Sequence, residues 1–189
     1  MRLGYFLHIT AFNRALGALN SNDNGHFPPT DALAQHRESP FMYEWIKFFH
    51  LAAAIVWMGG MALVILALRP VVIARMAPPE RLALMSAVLS RFFAMVWISI
   101  ALILASGFWM LSMTDMKLAP TGWHAMSGLG LLMCLIFAHI WFAPFRRLKA
   151  AVALSDWPAA GKALGQIHPM VLVNFAIGWV AVLAVVVWR

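Results

Sequence analysis

The stretch Tyr43 to Leu68, YEWIKFFHLAAAIVWMGGMALVILAL, decides how the rest of the chain is read. From Phe48 onward it is apolar for about 20 residues, the length a helix needs to cross the hydrocarbon core of a bilayer. One residue interrupts the run. His50 lies roughly two turns inside, where an unpaired polar ring is costly and marks a functional position by default. Trp57, seven residues on, falls on nearly the same helical face. Gly59 and Gly60 follow within a turn, removing bulk where another helix or a flat ligand approaches. Two readings are open from this span alone: one wall of a cofactor cleft, or a histidine hydrogen-bonded across a helix interface with packing glycines.

Composition places the chain in a membrane. Hydrophobic residues make up 63% of the sequence and charged residues 11%, against about a quarter charged in a soluble domain. The net charge is +7, but the basic residues gather at span ends rather than along one face, which excludes nucleic acid as a partner. Cys134 is the single cysteine, so an intramolecular disulfide and a cysteine-based zinc site are both excluded.

Residues 1–41 read as a disordered tail. Ser21, Asn22, Asp23, Asn24 and Gly25, then Pro28 and Pro29, are loop formers. The opening RLGYFLHITAF resembles a signal segment, with Arg2 before an apolar run that Asn13 and Arg14 cut short. A misassigned start is the other reading, because Met42 immediately precedes the first span. His8, His26 and His36 are expected to be solvated. The membrane domain is residues 42–189.

The second span is expected over Phe92 to Met113, behind a helix start at Pro78, Pro79 and Glu80. The third runs from Trp123 to Phe142, with Thr121 as N-cap and Pro144 just past its end. A fourth helix begins at Ser155, Asp156 and Pro158, enters the membrane around Pro169 and runs to Trp188. Short connections make neighbouring spans antiparallel. The fold expected is therefore all-α, an up-down four-helix bundle integral to the membrane.

The loops set the orientation. Arg69, Arg75, Arg81 and Arg91 flank the first connection against Glu80 alone, and Arg146, Arg147, Lys149 and Lys162 flank the third against Asp156 alone. The middle connection carries Asp115 and Lys117. The positive-inside rule then puts connections one and three in the cytoplasm and both termini outside, in a bacterial inner membrane.

With that orientation the histidines sort into two levels. His50 and His124 lie in the outer half, His139 and His168 toward the inner side. His124 and His139 are roughly 22 Å apart along their helix, too far to serve one iron. Neutral imidazoles on facing helices are standard axial ligands, so each level is a candidate haem site, and His50 with His124 is the favoured pair. Trp57 and Gly60 would flank the porphyrin. Methionines compete for the role. Met110, Met113 and Met116 follow one another by threes at the outer end of the second span, with Met42 and Met126 expected at the same level. Thioether sulfur is soft and suits Cu(I), but methionine is also a common filler of helix interfaces. Acidic residues are absent from the apolar spans, which disfavours a carboxylate proton relay, and Asn174 reads as an interhelical hydrogen bond.

Over Met42 to Trp188 the chain resembles the superfamily that joins the copper resistance protein D domain to HemJ-type protoporphyrinogen oxidases. The residues that carry the resemblance are Trp45, Ile46, Lys47 and His50, then Trp57 and Gly60; His124 behind an aromatic; Ala138 with His139; and Gln166 to Pro169. It implies a four-helix membrane fold and, in the HemJ branch, b-type haem. The lysine and glutamate of that branch are Met126 and Ile167 here, so its oxidase activity is not implied. Two functions are thus expected: a haem b protein passing electrons to or from a quinone or a redox partner protein, or a copper-handling protein using outer methionines and His50. The partners expected are the lipid bilayer, such a redox partner and a second copy of the chain as a homodimer.

Overall fold

The computed structural model describes residues 30–113 and 119–188, with side chains from residue 41. The signal-like opening, His8, His26, the side chain of His36, Asp115, Met116 and Lys117 lie outside the described residues. Four helices are long and apolar enough to cross a membrane: Phe41–Arg75, Pro78–Ser112, Thr121–Ala153 and Trp157–Val187. In chain order, α1 (Thr30–Ala62) continues through a π-helical segment, Leu63–Leu68, into α2 (Arg69–Arg75). Next, α3 (Pro78–Ser112) returns, α4 (Thr121–Ile140) passes through a second π-helical segment, Trp141–Phe145, into α5 (Arg146–Ala153), and α6 (Trp157–Val187) closes the bundle. The chain divides into two units, Met1–Met42 and Tyr43–Arg189, and the bundle belongs to the second.

Two local expectations are corrected. Pro144 does not follow the third span but is buried inside it, within the π-helical segment. A proline lacks the N–H for the ladder and its ring collides with the carbonyl one turn back. The wider π turn admits the extra residue and the helix continues. Thr121 is not the N-cap; Pro120 is, and Thr121 is the first helical residue. Backbone groups satisfy the first donors instead of a side chain. Gly122 N–H donates to the Trp188 carbonyl at 3.1 Å, and Trp123 N–H to that of Pro120 at 2.9 Å.

The corner between α5 and α6 follows the expected signals. Asp156 caps α6, accepting from Ala159 N–H at 3.0 Å, with Pro158 in the first turn. Before it, Ser155 adopts a left-handed backbone with φ 56°. Ser155 N–H donates to the Val152 carbonyl and Asp156 N–H to that of Ala151, the paired bonds of a Schellman turn.

Close approach and large rings hold the spans together, since lipid removes the hydrophobic drive between helices. On α3, Phe93 meets Phe137 edge to face with centroids 5.3 Å apart, and Phe145 at 4.8 Å. Trp57 of α1 meets Phe137 at 6.1 Å. The Phe92 ring lies over Gly60, where a β-carbon would collide with it.

Candidate functional site

One end of the bundle is built where α1 passes α3. The rings of Tyr43 and Trp109, 6.3 Å apart, set the two helices side by side at that end. His50 is half-buried on α1 and faces Ser106 and Gly107 of α3. A β-carbon at Gly107 would stand 3.6 Å from Cε1 of His50, so the imidazole rests against bare backbone. Nδ1 of His50 and Oγ of Ser106 are 2.8 Å apart.

The direction of that hydrogen bond follows from the other contacts of the serine. Ser106 Oγ donates back to the carbonyls of Leu102 and Ile103, which only accept. The hydroxyl has a single proton and it is engaged there, so toward His50 the oxygen is the acceptor. Nδ1 of His50 therefore carries the proton, and Nε2 keeps its lone pair.

The candidate methionines differ in exposure. Met110 is half-buried one turn outward of Ser106 on α3. Met113, just past the end of that helix, is exposed, and Met42, also exposed, belongs to the first unit. Met126 is half-buried on α4, on the same helical face as Met133 two turns deeper.

The remaining histidines have other neighbours. His124 is exposed in a groove of about 500 Å³ between α4 and α6, beside Gly128, Val180 and Trp188. His139, also exposed, borders a second groove between the same helices, of about 440 Å³, with Ile136, Pro169 and Met170. His168 is half-buried within electrostatic reach of Arg69. His50 and His124 thus face different neighbours: α3 for one, the groove between α4 and α6 for the other. Among the described residues no three His, Cys, Asp or Glu side chains converge on one point.

The face expected to flank a porphyrin is occupied by protein. Trp57 is 4% exposed with Phe137 against it, and Phe92 fills the space over Gly60. That packing leaves no open face at Trp57 and Gly60. Sequence reading missed Ser106 and Gly107, whose signal was a small polar residue and a glycine side by side in an apolar span.

The model of the family described as copper resistance protein D matches residues 86–188, more than half of the chain. No curated protein and no solved structure matches. The matched segment takes in Ser106, His124, His139 and His168, while His50, Trp57 and Gly60 precede it.

Proposed function

The chain belongs to the copper resistance protein D family, and on that premise we propose that this multi-pass membrane protein handles Cu(I), accepting the ion through His50. The observation that carries the reading is the hydrogen bond from His50 Nδ1–H to Ser106. A ligating histidine is held in this way, its second nitrogen donating to a neighbour so that the first points a lone pair at the metal. Met110 of α3 and Met126 of α4, both half-buried, offer thioethers that select a soft ion. Hard divalent cations lack free carboxylates here among the described residues, because Glu44 is paired with Lys47 and Glu80 and Asp156 stand at the starts of α3 and α6.

In the orientation with both termini outside the cytoplasm, His50 lies in the outer half and the ion is taken up from that side. The second reading is a haem b electron carrier serving a quinone or a partner subunit. The free Nε2 of His50 supports it equally; the rings packed at Trp57 and Gly60 oppose it. Copper-edge X-ray absorption of the Cu(I)-loaded protein separates the two. An imidazole in the copper shell that His50→Ala removes supports the proposal, and an unchanged shell overturns it.

A further inference from the structure

Deeper in the bundle, apart from His50, two methionine side chains meet over one glycine. Gly178 of α6 is buried, and a β-carbon there would run into Sδ of Met58, 2.8 Å from its Cε and 3.2 Å from Cε of Met133. Thioether side chains from α1 and α4 therefore end over one bare point of α6. Met133 is 5% exposed, and Met58 is partly buried against the same core. One turn earlier on that face of α6 stands Asn174, 1% exposed, whose Oδ1 accepts no hydrogen bond among the described residues.

An orphaned carbonyl in the middle of a bundle calls for an explanation. Methionine as adaptable filler accounts for Met58 and Met133 alone, and an interhelical hydrogen bond would account for Asn174 if its oxygen had a donor. Neither accounts for the three together. A bound cation does. Two thioethers replace the water of a soft ion, and the amide oxygen adds the negative end of its dipole. No carboxylate stands in this part of any span, which leaves a monovalent soft ion as the class that fits. Met58 is eight residues beyond His50 on α1, so this group lies roughly 12 Å deeper.

We propose that Met58, Met133 and Asn174 form a second binding site for Cu(I) or its analogue Ag(I), one step further across the membrane than His50. The identity of the ion and its passage from His50 rest on the proposed function; the site itself rests on the side chains that converge at Gly178.

The test is Cu(I) titration of the purified full-length chain in detergent, with copper-edge X-ray absorption on the loaded forms. The parent should bind two ions. Met58→Leu/Met133→Leu should bind one and keep imidazole in the copper shell, whereas His50→Ala should bind one held by sulfur without imidazole. Leucine conserves volume, so the melting temperature of the double variant should stay close to that of the parent. If the pair does not fold, His50→Ala/Met110→Leu/Met126→Leu decides, because it removes every donor of the first site and leaves the deeper core untouched: sulfur around a remaining ion supports the site, and no remaining ion overturns it. Loss of all binding in His50→Ala, with the leucine pair unchanged, overturns this site and leaves the proposed function standing. One sulfur-bound ion insensitive to His50→Ala but lost in Met58→Leu/Met133→Leu supports this site and overturns the role of His50. A parent that binds no Cu(I) overturns both.

Discussion

His50 on α1 and Ser106 on α3 are 56 residues apart in the chain and 2.8 Å apart in space, and the serine oxygen accepts the hydrogen bond of the imidazole Nδ1–H instead of donating one. That single direction makes Nε2 the reactive nitrogen. Ser106→Ala leaves Nδ1–H without its acceptor and the ring free to turn. Loss of an outer partner of this kind lowers metal affinity roughly 10-fold or more, while the lost hydrogen bond costs about 1 kcal/mol of stability. Competition with a Cu(I) chelator, alongside thermal unfolding of the same sample, measures both. Equal copper affinity in Ser106→Ala and the parent would mean the hydrogen bond is packing only.

Gly122→Ala addresses the seam where the start of α4 meets the end of α6. A β-carbon there would stand 2.6 Å from the carbonyl oxygens of Ala184 and Trp188, both backbone atoms with little room to retreat. The bond from Gly122 N–H to Trp188 would be forced open. Overpacking of this kind costs about 1–3 kcal/mol. Thermal unfolding in detergent should register that loss; a melting temperature equal to the parent's would show that the helix ends separate freely.

Ser155→Gly should act in the opposite sense. The left-handed backbone at Ser155, φ 56°, is strained for a residue with a β-carbon. Glycine adopts it at no steric cost, and the Schellman bonds at Val152 and Ala151 remain. A gain of roughly 0.5–1 kcal/mol is expected, reduced by the greater freedom of glycine in the unfolded chain. Equilibrium unfolding measures it.

Sequence alone carried the bundle a long way, for physical reasons that differ by element. The spans were legible because charge-free length has few uses outside a bilayer, and the start of α6 because Asp156 and Pro158 are local signals. Pro144 was misplaced because a π turn depends on how the helix continues, not on the residues before it. Counting residues orders the histidines along their helices, but not their facing, which depends on which helices are neighbours. Ser106 was passed over because a serine in an apolar helix ordinarily bonds back to its own carbonyls, as this one also does. Met58 and Met133 were missed because they lie on different helices and meet only over Gly178.

Orientation is open to a direct check. In a Cys134→Ser background, a cysteine placed at Lys117 should be labelled in whole cells by a membrane-impermeant thiol reagent. One placed at Lys149 should react only after permeabilisation. The reverse pattern would invert the bundle and put His50 on the cytoplasmic side.

The central claim is that the imidazole of His50 receives Cu(I). Copper-edge X-ray absorption on the Cu(I)-loaded protein tests it most directly. Imidazole scattering should be present in the parent and in His124→Ala, His139→Ala and His168→Ala, and absent in His50→Ala. A copper shell without imidazole in the parent, or one that keeps it in His50→Ala, would contradict the account.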